Sequence, residues 1–386
     1  MSATRVVDLE DAEGLLAADR EGLLRAASSA GAQVRAIAAA QHEGALDSLR
    51  ADDRARSVIW VAGRGTAETA GALLVATLGG AASEPITVTS DAPPWVGPLD
   101  VLIVAGDDPG DPVLVGAAAT GVRRGARVVV VAPYEGPLRD TTAGRATALA
   151  PRLWVRDEFG LCRYLAAGLA VLQTVDPKLS PKLTTDLGSL ADDLDAEALR
   201  NSAGRELFTN PAKTIAARIS GRRVALTGDC TATLALARHG SSALLRIAHQ
   251  VTAATGLADA LAALRSGPLQ DAPASVDALF HDEEIDGPLP ERLRVLALTL
   301  AEERTVVAAR VAGLEDTYLV AAGDVPDVSD PNGGLDGSGG LRAPNSGLAG
   351  SAGLRAPTGG GRAEQQLAIL AVRLEMAAVY LRLVRG

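Results

Sequence analysis

The sequence predicts an α/β protein with two tandem doubly wound parallel sheets and a flanking helical N-terminus. The chain has 386 residues, which is more than one ordinary hydrophobic core holds. Its residues are 47% hydrophobic but only 3% aromatic, so burial depends on aliphatic faces that pack closely. Short apolar runs alternate with helical patterns along the chain. This alternation is typical of a parallel sheet that helices cover on both faces.

The first half is expected to begin with two helices within residues 9–50, where apolar residues recur at helical spacing among many alanines. Strands are then predicted at SVIWV, PITVTSD, DVLIVAG and RVVVVAP, with helices at ETAGALLVATLGG and DPVLVGAAATGVRRGA. RLWV is a candidate fifth strand, and DEFGLCRYLAAGLAVLQTV is a closing helix. We assign residues 1–50 to N-terminal helices and 51–175 to the first domain.

The second half repeats the order of helix, glycine turn, strand, polar loop and helix. Residues 176–209 are assigned to an interdomain helix and linker, and 210–386 to the second domain. ERLRVLALTL and TVVAARVAGL are candidate further strands. Residues 323–362 are rich in Gly, Pro and Ser, a composition that predicts a disordered insertion. A helix is predicted to end the chain at AEQQLAILAVRLEMAAVYLRLV.

Charge and composition exclude several classes of protein. The formal net charge of -10 argues against a nucleic-acid partner, because such binding needs clustered Lys and Arg. The N-terminus lacks the features of a secretory signal, and no segment offers the roughly 20 charge-free apolar residues that cross a bilayer. Cys162 and Cys230 lie far apart without a partner motif, which fits a reducing compartment. A cytoplasmic protein without membrane or nucleic-acid partners is expected.

The loop after the first predicted strand is the first candidate ligand site. Its glycines allow the backbone to approach an anion, and the amides of the following helix could receive a phosphate. A phosphorylated small molecule and a structural tight turn are both compatible with it. A dinucleotide fits less well, because the third glycine is delayed to Gly71 and Asp91 lies late for a ribose contact. The candidate binding residues are Gly63, Arg64, Gly65, Thr66 and Thr69.

Two later loops occupy equivalent positions after strands. In the loop that begins at Gly106, we regard Gly106 and Asp107 as candidate binding residues. Three carboxylates in this loop would repel a phosphate unless a metal intervenes. A magnesium site and a solvated turn with helix-capping Asp are the alternatives. In the second half, the hydroxyl of Thr227 and its neighbours could bind an anion or cap the following helix.

One histidine stands among carboxylates. FHDEEIDGP contains His281, Glu283 and Glu284, which could act as acid and base partners or form an exposed acidic connection. His239 and His249 lie singly in the second half and are more simply explained as structural residues.

Four stretches share features with a known family: VIWVAGRGTAETAG, DVLIVAG with its polar turn, NPAKTIAARISGRRVALTG and AVRLEMAAVYLRLVRG. They resemble the bifunctional phosphoglucose/phosphomannose isomerases and, among these, the TobH-like actinobacterial branch. The resemblance implies two sugar isomerase (SIS) domains, a homodimer, and a sugar-phosphate site between domains and subunits. It also implies aldose–ketose isomerisation of glucose 6-phosphate or mannose 6-phosphate to fructose 6-phosphate. We expect no cofactor and no metal.

The chain departs from this family at several functional positions. The family's hydroxyl-rich phosphate cradle aligns with residues 105–110, which have no hydroxyl, and its first loop has a hydroxyl where Arg64 stands. The family's Asn-Glu-Asn, with the proton-transfer glutamate, falls on Leu245, Arg246 and Ile247. The Pro-Arg segment is retained, so the resemblance implies that Arg152 is the active-site arginine.

Three functions follow from these observations. The first is a degenerate SIS protein that binds a sugar phosphate or another carbohydrate derivative without efficient isomerisation. The second is a working isomerase with relocated acid and base groups. The third is a structural or regulatory dimer without a small ligand. If the protein is an enzyme, we expect its catalytic residues to be Arg152, His281, Glu283 and Glu284.

Overall fold

The computed structural model describes residues 7–50, 53–62, 64–176, 185–266, 292–324 and 361–385. Within these ranges the chain forms two parallel sheets surrounded by helices. The predicted α/β fold class with two doubly wound sheets and a helical N-terminus is confirmed.

The first sheet has the strand order β2-β1-β3-β4-β5, and all neighbouring strands are parallel. The order reverses between β1 and β3, where open α/β sheets bind ligands beyond the carboxyl ends of the strands. The prediction of RLWV as the fifth strand is wrong: the chain pairs with β4 a few residues earlier, and Leu153 and Trp154 are exposed. The strands are β1 Ser57–Val61, β2 Ile86–Thr89, β3 Asp100–Ala105, β4 Arg127–Val131 and β5 Thr147–Ala148.

Three short helices, rather than the two predicted, precede the first sheet. The break between the first and second comes from Asp19, whose carboxylate accepts hydrogen bonds from the amides of Leu23 and Leu24 at 2.7 and 2.9 Å. Gly22 adopts a φ of 67° at this turn, a conformation that favours glycine. The helices of this half are α1 Ala12–Ala18, α2 Leu23–Ala27, α3 Ala30–His42, α4 Gly65–Leu78, α5 Pro112–Arg124, α6 Gly136–Thr142 and α7 Leu161–Val175.

The second sheet is also parallel, with the order β7-β6-β8-β9. Its strands are β6 Arg223–Gly228, β7 Ala253–Gly256, β8 Leu293–Thr299 and β9 Thr317–Ala321. The helices are α8 Leu187–Arg200, α9 Pro211–Ile219, α10 Thr231–Ala248, α11 Leu257–Arg265, α12 Arg304–Val311 and α13 Ala363–Arg385.

The prediction of a strand at TVVAARVAGL is wrong, because this stretch contains α12. Between two parallel strands the chain must return from the carboxyl ends of the strands to their amino ends, and a helix is the usual connection. The helix buries Val307 against the sheet while Val306 stays exposed. The need for a connection between β8 and β9 therefore outweighs the preference of the valines for strands, and this stretch is helical. The β9 strand that follows was not predicted.

One continuous hydrophobic cluster extends from the N-terminal helices across both halves. The terminal helix α13 lies within it and packs against α8, α9 and α10. A helix that is buried on nearly every side is expected to be apolar all round, as α13 is apart from a few charged residues. Most of the predicted insertion at 323–362 lies outside the described residues. No helix in the described ranges combines the length and apolar character that crossing a bilayer requires.

Candidate functional site

Two loops meet at the carboxyl edge of the first sheet, where the strand order reverses. The β1–α4 turn contains Arg64, whose side chain is 71% exposed, and Gly65, which has a φ of 68°. The β3–α5 loop contains Asp111, and its Oδ2 lies 3.8 Å from Nη2 of Arg64. This weak ion pair joins the two loops across the point where a parallel sheet binds its ligand.

Asp157 connects this edge to the second half of the chain. Its Oδ1 and its backbone oxygen each lie 3.1 Å from Oγ1 of Thr66, which donates to them. Its Oδ2 accepts a hydrogen bond of 3.2 Å from Nη1 of Arg246, in the last turn of α10. The Asp157 carboxylate is therefore held and neutralised by groups from both halves.

The neighbouring carboxylate, Glu158, is paired as well. Its Oε1 lies 3.4 Å from Nη2 of Arg156 and 3.5 Å from Nη2 of Arg246. Burial acts to raise the pKa of Glu158, but the hydrogen bonds from its own amide and Arg156, with the charge of Arg246, outweigh burial and lower that pKa. A carboxylate with a lowered pKa is a poor proton acceptor at neutral pH.

Tyr164 and Arg163 contribute buried donors without acceptors. Within the described residues, the Tyr164 hydroxyl and Arg163 Nη1 are buried and have no hydrogen-bond partner. The Arg163 guanidinium lies 4.1 Å from the centre of the Tyr164 ring. Burial raises the pKa of Tyr164 far above its usual value, and the charges of Asp157 and Asp107 act in the same direction. The hydroxyl therefore stays protonated and available as a donor.

We call Arg64, Thr66, Asp107, Asp157, Arg163, Tyr164 and Arg246 the carboxyl-edge cluster. Tyr164 and Thr66 lie close together on either side of Gly160. A Cβ added to this glycine would lie 3.2 Å from the Tyr164 ring and 3.4 Å from Oγ1 of Thr66. The cluster combines three arginines, two carboxylates and two hydroxyls. Guanidinium and hydroxyl donors of this kind bind phosphate and sugar oxygens.

Other predicted residues of these loops have local structural contacts. Thr69 donates its hydroxyl to the Gly65 backbone oxygen at 3.3 Å, within its own helix. A side chain at Gly106 would collide with Leu114, because the added Cβ would lie 2.5 Å from Cδ1. Asp107 is exposed, and Gly63 lies outside the described residues.

The acidic β3–α5 loop resembles a turn rather than a metal centre. Asp108 Oδ1 accepts a hydrogen bond from the Gly110 amide at 2.8 Å, and Asp111 Oδ1 accepts one from the Val113 amide at 2.9 Å, as an N-cap of α5. In the part of the chain that the structure describes, no group of three or more His, Cys, Asp or Glu side chains is arranged to hold a metal ion.

The structure places Arg152 and Thr227 away from the carboxyl-edge cluster. Arg152 forms a bidentate surface ion pair with Glu43, at the end of α3. Thr227 pairs with Ala297 in the second sheet, which packs with α11 and α12, whereas α10 lies on the opposite face with Leu226. Its buried hydroxyl has no partner among the described residues. His281, Glu283 and Glu284 lie outside the described residues.

Sequence reasoning missed Asp157, Arg163 and Tyr164, and it noted Arg246 only as a replacement for a glutamate. RDEFGLCRY carries the signal, because it places charged residues and a tyrosine directly before and within an apolar helix. Tyr164 was read as part of that helix, since its burial beneath the edge depends on the loops above it.

The fold is shared with solved structures of low sequence similarity. Tagatose-6-phosphate ketose/aldose isomerase from Escherichia coli matches with 13% identity and a TM-score of 0.57, over 100% of this chain and 94% of that one. A glucose-6-phosphate isomerase-like protein from Thermus thermophilus matches with 18% identity and a TM-score of 0.52, over 98% and 96% of the two chains.

A Bacillus subtilis protein described as a phosphosugar isomerase matches with 15% identity and a TM-score of 0.56, over 93% and 95%. Comparison with protein-family models and with curated proteins finds no match. The chain therefore has the fold of these structures, with two parallel sheets surrounded by helices.

Proposed function

We propose that the protein binds a sugar phosphate, or a related carbohydrate derivative, at the carboxyl-edge cluster and does not isomerise it efficiently. The proposal rests on the ion pairs that the acidic groups at this edge of the sheet form. Asp157 and Glu158 are both paired with Arg246, while the Tyr164 hydroxyl and Arg163 Nη1 have no hydrogen-bond partner among the described residues. The cluster thus has donors for an anion, while Asp157 and the neighbouring Glu158 are already engaged in ion pairs.

Similarity of fold supports the class of ligand. The structures reported above are of proteins named for phosphosugar isomerisation. The family resemblance aligns the segment that carries the proton-transfer glutamate with the segment around Arg246 in this chain. An arginine cannot act as a general base at neutral pH, because its guanidinium stays protonated. Membership of the TobH-like branch is part of this proposal.

An active isomerase is the second candidate. Asp107 favours it, because this carboxylate is exposed beside the cluster and close enough to influence the pKa of Tyr164. It has no hydrogen bond or ion pair within the described residues. In this case Asp107, or the predicted His281, Glu283 and Glu284, would move the proton between adjacent carbons.

Calorimetry with fructose 6-phosphate and the full chain tests binding. Tyr164→Phe removes only the unpaired hydroxyl, and we expect it to weaken binding about tenfold, the effect of one lost hydrogen bond of roughly 1.4 kcal/mol. Arg64→Ala should weaken binding also. Arg123→Ala, at an exposed arginine in the last turn of α5, is the control. If neither Tyr164→Phe nor Arg64→Ala changes the affinity for fructose 6-phosphate, the binding site is not at the carboxyl-edge cluster.

A coupled assay for fructose 6-phosphate formation separates the two candidates. We expect no turnover with mannose 6-phosphate or glucose 6-phosphate. Turnover that is lost in Asp107→Asn, His281→Ala or Glu283→Ala would establish the isomerase instead. If neither turnover nor binding is found, the third function, a structural or regulatory dimer without a ligand, is the one that remains.

A cytoplasmic homodimer is part of the same proposal. Trp154 supports dimerisation, because its side chain is 91% exposed and Leu153 beside it is 42% exposed. Large apolar groups exposed together are typical of interaction surfaces. Light scattering of wild type and Trp154→Ser measures the expected shift from dimer to monomer, and a wild-type monomer contradicts the dimer.

A further inference from the structure

A cavity lies at the outer edge of the second sheet, away from the carboxyl-edge cluster. It has a volume of about 610 Å³ and is bounded by α9, the carboxyl end of β9 and the start of α12. Ligand cavities usually have volumes of about 300–1,000 Å³. Nothing in the proposed sugar-phosphate site uses these residues.

One wall of this cavity holds a guanidinium that has no ion pair among the described residues. The Arg218 guanidinium is half-buried and lies 4.4 Å from the centre of the Tyr318 ring. It forms no ion pair or hydrogen bond through its side chain within the described residues. Burial lowers the pKa of Arg218, and the charge of Arg294 acts in the same direction, whereas Tyr318 and Asp324 act against this decrease. A partly desolvated cation of this kind gains by contact with an anion.

The acidic charge that acts on Arg218 in this cavity is shared with a second arginine. Asp324 is the acidic residue of the cavity lining, and it is already paired with Arg304. Beneath them, Arg373 donates to Glu197 and to the backbone oxygens of Ala321 and Ala322. Its hydrogen bonds are therefore directed to the protein.

The cavity also has an apolar wall. Pro211, Ile215 and Leu319 line it, and Phe208 stands at the cavity with 68% of its surface exposed. An exposed phenylalanine in a cavity that also holds a guanidinium offers a surface on which a flat ring stacks. The cavity thus pairs a cation with an aromatic face.

We propose that this cavity binds an organic anion that joins a phosphate to a flat ring, with the chemistry of a nucleoside monophosphate. The phosphate contacts Arg218, and the ring lies against Phe208 and the apolar wall. The site is independent of the sugar-phosphate site and could be occupied together with it.

Calorimetry on the full chain tests this with AMP, adenosine and inorganic phosphate as separate probes. AMP is expected to bind at least tenfold more tightly than either adenosine or phosphate alone. Arg218→Ala should weaken AMP binding at least tenfold, and Phe208→Ala several-fold. Arg222→Ala, at an exposed arginine just after α9, and Tyr164→Phe, in the carboxyl-edge cluster, should leave it unchanged.

Circular dichroism of each variant confirms folding, and Arg218→Lys provides a second variant that keeps the charge but not the bidentate geometry. Lack of AMP binding, or binding as tight for adenosine as for AMP, overturns the proposal. So does AMP binding that Arg218→Ala and Arg218→Lys leave intact. AMP binding that is lost in Tyr164→Phe would place the nucleotide at the first sheet and likewise overturn it.

Discussion

At the scale of single residues, the charge of Arg246 decides what the carboxyl edge of the first sheet can do. The guanidinium comes from α10 in the second half and meets Asp157 and Glu158 in the first. A carboxylate at the same place would have repelled them and raised one of the pKa values, as paired acids do. The arginine instead pairs with both carboxylates, and its charge helps to lower the pKa of Glu158, which disfavours proton transfer by that group.

His239 and Glu375 form a second notable pair, buried between α10 and α13. His239 Nε2 lies 2.9 Å from Glu375 Oε1, and both side chains are almost fully buried. Burial raises the pKa of Glu375, while the hydrogen bond with His239 acts against this increase. Cys162 lies close enough that Glu375, together with burial, raises the pKa of its thiol.

This pair leads to a prediction for stability against pH. The folded state holds the Glu375 proton more tightly than the unfolded state, whose carboxyl has an ordinary pKa of 4.5. Its stabilising contribution is therefore full below that pH and is lost as the pH rises through the folded pKa. Glu375→Gln removes the titration. The stability of the variant minus that of wild type should rise as the pH increases from about 4.5 toward neutrality in urea unfolding.

The control for this experiment is Glu302→Gln, at an exposed glutamate, whose difference from wild type should not change over the same pH range. A difference for Glu375→Gln that is also constant with pH would show that the buried carboxyl does not titrate as described.

At the scale of elements, the NPAK stretch is explained by the start of α9. Asn210 Oδ1 accepts a hydrogen bond of 3.0 Å from the Lys213 amide, and Pro211 occupies the first turn. These are the residues that favour a helix N-terminus. Lys213 is buried, and its Nζ donates to the backbone oxygens of Ala203 and Arg205, each at 2.8 Å. The lysine thus fixes the connection between α8 and α9.

Lys213→Met tests this structural role. The substitution keeps the apolar stem but leaves two carbonyl oxygens unsatisfied, so we expect a loss of about 3 kcal/mol in the free energy of unfolding. Chemical denaturation measures it. Arg222→Met, at an exposed position, should cost less than about 0.5 kcal/mol. Equal stability of both variants would mean that the two hydrogen bonds contribute nothing.

At the scale of the whole molecule, α13 joins the two halves. Its residues belong to the hydrophobic cluster that also includes α4, α7 and α10. Leu374 is 1% exposed and packs close to Gly240 of α10, where an added Cβ would lie 3.0 Å from its Cδ1. A core shared in this way predicts that the two sheets unfold together.

Leu374→Ala tests this cooperativity. Replacing a buried leucine by alanine lowers the free energy of unfolding by about 2–5 kcal/mol. Hydrogen exchange should then show that the amides of β3 and β6 lose protection by the same factor, in a single transition. Leu199→Ala, at a leucine that is 54% exposed, should leave both unchanged. Two separate transitions, with only the second sheet affected, would contradict a shared core.

The sequence by itself was sufficient for the fold class and most elements. Buried strands such as DVLIVA and the helices between them are encoded locally, because a parallel strand with both faces covered must be apolar throughout. TVVAARVAGL was misread because β-branched residues also occur in helices that pack on a sheet. The extra N-terminal helix was missed because the break between α1 and α2 depends on one carboxylate, Asp19.

Only the tertiary structure could assemble the candidate site. Thr66 was predicted from its glycine loop, and the position of Arg246 was noted as a departure, but neither signal indicated that Asp157 joins them. These residues are distant along the chain and belong to two different halves. Periodicity and loop composition describe neighbours in sequence, whereas an ion pair between α10 and the first sheet depends on how α13 and the shared core bring the halves together.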